Sequence, residues 1–534
     1  MNYPRMTKKS NRTTNSIKNI LTSMGGQLLS ILLKFVVRTV FIHTLGKAYL
    51  GINGLFADIL TMLSLTELGF DTAINYKLYK PLAEKDIKRI RILMKFYKQS
   101  YRMVGGAILF LGLCLIPFLP NLIRDYDSLA VLGINAVVIY LMYIFKSVSS
   151  YLFFAYRSAI IKADQKKYIL DIADFVVTII ENILQIIMLV VFKKFLLYTA
   201  SLIVFSILRN IVNAYIANKM YPEVFKQESE SISKEEAFSM LKDCGALFVY
   251  RVNNVVAKAT DNAVISAFIG LVSVGIYSNY LLFYTTVNGV LDKIYTSIKA
   301  SMGNLFAVES INKKYSFFQT VNFLSFLLYG TAAVGIALCA DEFIEAWVGK
   351  EYVIPDFFSM LIGAEILLHG LTNCLGHTRN VTGIFRQMWY RPILSAIINL
   401  IVSIILVQVI GIHGVIIGTI SSSLFTNLAF DPIIIHKYGF NKYKSASAYY
   451  SRLLQYLVAL AIIGFADYWL CSWILPSHGW LSVIVHGAII VVDVPLFFLL
   501  LYRKTEECRY LIGKAKTIIN KVISRKKIKN GGVA

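Results

Sequence analysis

The chain has 534 residues, of which 57% are hydrophobic and only 16% are charged, and its formal net charge at pH 7 is +23. Apolar runs recur along the whole chain, which excludes a soluble globular protein and predicts one polytopic membrane domain. The Lys and Arg residues lie in short connections and tails between the apolar runs. The positive-inside rule of membrane proteins accounts for this charge, so nucleic-acid binding is not expected.

Fourteen segments have the length of about 20 apolar residues that a membrane-spanning helix needs. They are 17–42, 49–74, 99–121, 128–154, 171–192, 196–218, 244–269, 272–297, 317–340, 355–377, 391–410, 412–435, 448–471 and 480–502. The basic N-terminus runs into the first of them without a small-residue cleavage site, which predicts a first span rather than a signal peptide. The connections at 269–272 and 410–412 are almost absent and predict tight helical hairpins. The predicted fold class is an all-α polytopic membrane protein with about 14 transmembrane helices, or twelve if one hairpin is re-entrant.

The charges of the connections predict how the spans are oriented. Basic residues follow spans two, four, eight, ten and twelve, and those after span ten are Arg379, Arg386 and Arg391. The connections after odd-numbered spans carry acids or few charges, with Lys193 and Lys194 as the exception. By the positive-inside rule, both termini lie in the cytoplasm.

The first apolar segment carries a polar face that is unusual for a membrane span. Helical spacing places Gln27, Ser30, Lys34 and Arg38 on one side of residues 27–38. The same pattern recurs in a later apolar segment, where Arg251 matches Gln27, Asn254 matches Ser30 and Lys258 matches Lys34. A cation at membrane depth costs roughly 2.5–3.5 kcal/mol, so these four cations are expected to face a wet or anion-holding interior. This pattern predicts a transporter with a basic central cavity.

The separation between matched positions is the same in all three pairs, and this constant repeat offset organises the chain into two related halves. Leu45-Gly46-x4-Gly51-Ile52 follows the first basic helix, and Ile269-Gly270-x4-Gly275-Ile276 follows the second at the same offset. Six spans per half give both halves the same orientation, with the substrate site between them. The predicted organisation is a basic N-terminus (1–16), an N-lobe (17–218), a cytoplasmic linker (219–243), a C-lobe (244–436), two further spans (448–502) and a basic tail (503–534).

Two stretches resemble a known family. Residues 35–86, FVVRTVFIHTLGKAYLGINGLFADILTMLSLTELGFDTAINYKLYKPLAEKD, resemble the start of bacterial polysaccharide and O-antigen flippases of the Wzx type. These flippases belong to the multidrug/oligosaccharidyl-lipid/polysaccharide (MOP) exporter superfamily. Residues 410–427, IGIHGVIIGTISSSLFTN, are similar to the turn between the eleventh and twelfth spans of that family.

The resemblance implies two six-helix lobes around a central cavity and a lipid-linked oligosaccharide, a polyprenyl-diphosphate sugar, as the substrate. In the lipid II flippase of the same superfamily, cavity arginines hold the substrate diphosphate. The positions that match by place and charge here are Lys34, Arg38, Arg251 and Lys258. The implied location is the bacterial cytoplasmic membrane, with membrane lipids and glycan assembly enzymes as further partners.

The acidic residues in the spans have two interpretations. They are either structural partners that neutralise the cations or groups that couple transport to protons or Na⁺. The possible partners are Asp58, Glu67, Glu181, Asp261 and Glu365. Asp58, Glu67 and Asp261 are the candidates for coupling. The membrane potential is an alternative drive, since it moves an anion outward with roughly 2.3 kcal/mol per charge per 100 mV.

Two other functions compete with the flippase. A drug/cation antiporter of the same superfamily needs an acidic cavity, which the basic face disfavours. A membrane glycosyltransferase or polymerase usually needs a large external loop, and the largest one here, near 341–356, is short. The sequence contains no Walker A, GxSxG or HExxH motif, and its six cysteines are scattered, so no enzymatic activity, cofactor or metal is expected.

Overall fold

The computed structural model describes much of the chain. The described residues are 29–64, 70–124, 126–131, 133–225, 232–233, 235–238, 240, 260–384, 387, 390–475, 479–514 and 516–517. Long helices dominate, and this part of the chain contains no β-strand. The predicted all-α membrane fold is therefore confirmed.

The chain divides into two compact units, Met1–Ser278 and Asn279–Ala534. The helices described in the first unit are α1 (29–45), α2 (Lys47–Leu63), α3 (Phe70–Glu84), α4 (Ile87–Cys114), α5 (Leu119–Leu122), α6 (Ser128–Val131), α7 (Ala136–Leu152), α8 (Ser158–Ala163), α9 (Lys167–Phe192), α10 (Phe195–Met220), α11 (Pro222–Phe225) and α12 (260–268). Helix α13 (Leu271–Val308) begins in the first unit and continues in the second. The predicted lobe boundaries at 218 and 244 stay a prediction.

The helices that follow α13 in the second unit are α14 (Ile311–Val348), α15 (Phe358–Thr382), α16 (Arg391–Ile410), α17 (Ile412–Ser422), α18 (Ala429–Ile434), α19 (Ala446–Ile474), α20 (Trp480–Leu501) and α21 (506–514). Two π-helical segments, Ser423–Leu428 and Ile435–Gly439, extend α17 and α18 into one continuous span. More than half of the residues in the most apolar windows of α14 and α15 are buried, against 22% for α16, α19 and α20. Helices α14 and α15 therefore form the centre of this unit.

Nine of the described helices are long and apolar enough to cross a membrane. A tenth span results if α7 and the following helical piece, Ala155–Ala163, are counted together despite the 42° bend between them. Predicted spans one and seven lie partly outside the described residues, and α2 has only 17 residues. The total of fourteen spans therefore stays a prediction. The predicted hairpin at 410–412 is present, because Gly411 alone separates α16 from α17.

Helix α4 begins well before residue 99, the start predicted for the third span. The side chain of Asp86 caps it by accepting a hydrogen bond from the backbone N–H of Arg89 at 2.9 Å. The added turns are amphipathic, with Ile90, Leu93 and Met94 buried. Residues 87–98, predicted to belong to a basic loop before the third span, are thus helical. The Asp86 cap and the buried apolar face stabilise this part of α4.

Two arginines that the sequence places in a cytoplasmic connection are buried instead. Arg391 Nη1 lies 2.8 Å from Asp431 Oδ2, and Arg379 Nη1 lies 3.3 Å from the same oxygen. Arg391 also donates a hydrogen bond of 2.6 Å to Asn427 Oδ1. Arg379 and Arg391 are 5% and 7% exposed and Asp431 is fully buried. One carboxylate therefore links the end of α15, the start of α16 and α18.

We expect Asp431→Ala to destabilise the protein strongly, because it leaves two guanidinium groups in a buried site without this carboxylate. Removing one partner of a buried ion pair typically costs about 3–5 kcal/mol. The measurement is the midpoint of thermal unfolding in detergent. Lys437→Ala, at an exposed position on the same span, is the control and should leave the midpoint almost unchanged. An equal effect of both variants would show that the triad does not stabilise the fold.

Candidate functional site

Helix α1 has its cations on one face and exposed aliphatic side chains on the opposite face. Lys34 is exposed and Arg38 is half-buried. Leu32 and Val36 are 62% and 49% exposed and lie about 160–200° around the helix from Lys34. Large exposed aliphatic side chains on a membrane helix suit contact with lipid. The basic face therefore points away from the side of α1 that suits lipid.

Arg38 belongs to a polar group contributed by four helices of the first unit. Its guanidinium donates a hydrogen bond to Ser278 Oγ on α13. Asn262 on α12 donates one of 2.6 Å to Asp58 Oδ2 on α2. A Cβ added at Gly54 would lie 3.6 Å from Asn262 Nδ2 and 3.9 Å from Ser278 Cβ, so both hydrogen bonds lie around this glycine. We call Arg38, Asp58, Asn262 and Ser278 the crossing cluster.

The sequence repeat appears in the geometry of this cluster. Arg38 and Asn262 are equivalent positions, since the repeat offset that matches Lys34 with Lys258 also matches these two residues. Arg38 lies on the first helix of hairpin 29–63 and contacts the second helix of hairpin 260–278. Asn262 lies on the first helix of hairpin 260–278 and contacts the second helix of hairpin 29–63. The two hairpins, 29–63 and 260–278, therefore exchange polar contacts in a roughly symmetric way.

The same hairpins cross closely at a pair of equivalent glycines. A Cβ at Gly51 would overlap the carbonyl oxygen of Leu271, and one at Gly275 would overlap the carbonyl oxygen of Lys47. The two glycines are again related by the repeat offset. Only glycine allows the backbones of α2 and α13 to approach this closely. The repeated LG-x4-GI motif therefore supplies the contact between the hairpins.

The remaining predicted site residues divide into two groups. Arg251, Lys258 and Glu67 lie outside the described residues. Asp261 is 5% exposed and accepts a hydrogen bond of 3.4 Å from the hydroxyl of Tyr277. Asp58 is half-buried and accepts from Asn262 as described above. The two described acids thus accept hydrogen bonds from neutral donors. The coupling role of the acids and the substrate role of the cations stay predictions.

Sequence reasoning missed a charged network inside the first unit. Glu181, considered there as a partner for the cavity cations, lies 3.0 Å from Arg209 Nη2. Arg209 Nε lies 3.7 Å from Asp174, which also accepts a hydrogen bond of 3.0 Å from Asn213. Arg209 is a cation in the middle of predicted span six, and that position is a signal by which the network could have been found.

Solved structures define the class to which this fold belongs. The lipid II flippase MurJ in an inward closed conformation matches with a TM-score of 0.59 and 13% identity, over 91% of this chain and 99% of that one. An inward-facing multidrug resistance MATE family transporter of the MOP superfamily matches with a TM-score of 0.58 and 11% identity, over 80% and 100%. A MATE transporter of Vibrio cholerae matches with a TM-score of 0.51 and 12% identity, over 79% and 96%. The chain therefore has the fold that these transporters share.

The family follows from the sequence match. A family model described as "Polysaccharide biosynthesis protein" matches residues 16–298, which is more than half of the chain. The chain belongs to this family and is a multi-pass membrane protein, which confirms the resemblance to polysaccharide flippases drawn from residues 35–86. No curated protein matches the chain.

We expect Gly51→Val to separate the two hairpins, because the new side chain would overlap the backbone of α13. Val274 is fully buried near the crossing and serves as a reporter when replaced as Val274→Cys in a background without native cysteines. Labelling of this thiol by a membrane-impermeant maleimide should rise several-fold in the Gly51→Val variant.

Gly54→Ala is the matched control, because its Cβ would only touch side chains at 3.5 Å or more. It should leave the labelling at the level of the reporter alone. If Gly51→Val behaves like this control, the close crossing does not keep Val274 from the outside reagent.

Proposed function

We propose that the protein is a flippase that moves a polyprenyl-diphosphate-linked oligosaccharide from the cytoplasmic to the outer leaflet of the bacterial cytoplasmic membrane. The observation that carries the proposal is the basic face of α1, on which Lys34 and Arg38 point away from the side of the helix that suits lipid. Membership of a polysaccharide biosynthesis family supports the substrate class. The similarity of the fold to a lipid II flippase supports the same class.

The basic face has the chemistry to bind the diphosphate of such a substrate. Arg38 presents a planar guanidinium that binds phosphate through paired hydrogen bonds, whereas Lys34 provides a point charge. Arg251 and Lys258 are proposed as the corresponding cations of the second half of the repeat. A diphosphate held by several cations loses much of the cost of leaving water, which is the main barrier to crossing the hydrocarbon.

Transport is proposed to proceed by alternating access. The connections at Gly46 and Gly270 follow odd-numbered spans, so the proposed topology places them outside the cell with both termini in the cytoplasm. The crossing of Gly51 and Gly275 lies just beyond these connections in each repeat. We assign to this crossing the outer closure that must open to release the substrate.

The energy source is proposed to act through the same region. Asp58 belongs to the crossing cluster, so a change in its charge would act directly on the contacts between the hairpins. Asp261 and Glu67 remain further candidates for coupling to a proton or Na⁺. The membrane potential favours outward movement of the anionic substrate without any of these acids. Glycan assembly enzymes are the proposed source of the lipid-linked substrate.

A drug/cation antiporter is the alternative, since MATE transporters share this fold. Charge distinguishes the two functions, because a cationic drug would be repelled by Lys34 and Arg38. A glycosyltransferase or polymerase is disfavoured by the family and by the transporters that share the fold. Energised membrane vesicles containing the protein should therefore show no drug-dependent proton or Na⁺ release, which would be expected of an antiporter.

We expect Lys34→Ala and Arg38→Ala to lower surface polysaccharide about tenfold or more at equal protein expression. The reason is that a hydrogen bond to a charged group contributes about 1.5–3 kcal/mol, and about 1.4 kcal/mol corresponds to a factor of ten. The measurement is quantitative display of the polysaccharide in cells that lack the native protein. Arg251→Ala and Lys258→Ala extend the test to the second half.

Lys194→Ala removes an exposed cation in the short connection between α9 and α10 and is the matched control. It should leave display unchanged. Lys34→Arg keeps the charge and should retain most of the activity. Normal display in all four alanine variants would refute the basic substrate site.

A further inference from the structure

A row of polar side chains runs through the helical part of the second unit, between α13 and α15. On both helices the polar residues recur at intervals of four, which places them on one helical face. They are Tyr284, Asn288 and Asp292 on α13 and Glu365, His369, Asn373 and His377 on α15. We call these seven residues the polar seam. The stretch from Glu365 to His377 corresponds to about 18 Å along the helix axis.

Direct contacts join the two sides of the polar seam at three levels. The Tyr284 hydroxyl lies beside the Glu365 carboxylate at one end. Asn373 Nδ2 donates a hydrogen bond of 3.0 Å to Asp292 Oδ1 in the middle. At the other end, the ring of His377 lies 5.6 Å from the ring of Tyr295. Helices α13 and α15 therefore meet along the seam, whose residues are not scattered over the two helices.

Asp292 is the centre of the seam. Its Oδ1 accepts a second hydrogen bond of 3.0 Å from the hydroxyl of Tyr329 on α14, and His369 Nε2 lies 4.0 Å away. The side chains of Asp292 and His369 are 43% and 30% exposed. An exposed carboxylate in a membrane segment, such as that of Asp292, faces water or a polar ligand rather than lipid, because hydrocarbon offers it no hydrogen bonds. The open side of the seam is thus a polar surface.

The surrounding helices hold this surface rigidly. A Cβ at Gly370 would overlap the ring of Tyr329, so glycine at this position lets the tyrosine lie against the backbone of α15. The hydroxyl of Ser325 donates a hydrogen bond of 2.8 Å to the carbonyl oxygen of Gly370 and fixes α14 against α15 nearby. Rigid donors and acceptors lose little freedom when a ligand binds, which favours recognition over mere solvation.

The composition of the seam selects a class of ligand. Two carboxylates, two amides, two imidazoles and one tyrosine provide both donors and acceptors, together with flat rings. These groups match a ligand that carries many hydroxyl groups. The two carboxylates repel phosphate, in contrast to Lys34 and Arg38 on α1. From these observations we propose that the polar seam binds the sugar portion of the substrate. This inference rests on the proposed function, because it needs a lipid-linked glycan as the substrate.

The test compares two ligands on the purified full-length protein by native mass spectrometry. One is bare undecaprenyl diphosphate, and the other is the polyprenyl-linked oligosaccharide pool extracted from cells that lack this protein. The wild type should bind the oligosaccharide-bearing lipid at least tenfold more tightly than the bare lipid. Asp292→Asn and Asn373→Ala should reduce this gain to less than threefold and leave binding of the bare lipid unchanged.

Controls separate this inference from the proposed function. Asp493→Asn changes an acid on α20 outside the seam and should keep the full gain. Arg38→Ala should weaken binding of both lipids equally, and if it does not, the basic site is wrong while the seam result still stands. The same gain in Asp292→Asn as in the wild type would overturn the assignment.

Two further outcomes would also overturn it. One is the absence of any gain in the wild type, which would mean that the protein does not recognise the sugar. The other is an Asp292→Asn variant that binds both lipids normally but no longer displays polysaccharide on cells, which would identify the seam as a proton pathway. The first outcome is read from the wild type and the second from Asp292→Asn, and neither requires an additional ligand.

Discussion

Hydrocarbon cannot hydrogen bond to an ionised side chain, so each charge within a membrane-embedded helix needs a partner, water or a ligand. The described residues satisfy this need in several ways. Arg379 and Arg391 share the Asp431 carboxylate in a buried triad, whereas Arg209 lies between Glu181 and Asp174. Lys34 is different, because it is exposed on the face of α1 opposite Leu32 and Val36. The same constraint therefore separates charges that hold the fold together from the exposed Lys34, for which we propose a role in substrate binding.

The two units differ in the kinds of polar side chain that they place within the membrane. The first unit presents Lys34 and Arg38 on α1, of which Arg38 belongs to the crossing cluster. The second unit presents a seam of carboxylates, amides, imidazoles and one tyrosine. A lipid-linked glycan has an anionic part and an uncharged polyhydroxyl part, so one kind of surface would not suit both. This difference in surface chemistry is the physical basis for assigning the diphosphate and the sugar to separate groups of residues.

The glycines that form the crossing connect the repeat with the proposed transport cycle. Gly51 and Gly275 occupy equivalent positions and let α2 and α13 meet at backbone distance. Such a contact contains little side-chain surface and is held by close packing and by the polar exchange around Arg38 and Asn262. A contact of this kind is suited to opening, since few large side chains must leave a packed core when the hairpins separate.

Much of the architecture was evident in the sequence. Apolar runs required a helical membrane protein, and the motif at residues 35–86 pointed to the family that the sequence match confirms. The constant repeat offset, read from Leu45–Ile52 and Ile269–Ile276, marked the glycines that meet in the structure. These features are local in the chain, because hydropathy, helical spacing and turn residues depend on near neighbours.

Only the tertiary structure decided which polar residues face one another. Arg379 and Arg391 look like ordinary loop cations until α18 brings Asp431 between them. The sequence alone did not single out Asp292 as a site residue. The packing of α13, α14 and α15 places Tyr329, Asn373 and His369 around the Asp292 carboxylate. The sequence by itself determined the class of fold, since burial in lipid selects for composition. It did not determine the partners of each charge, because those depend on contacts between helices far apart in the chain.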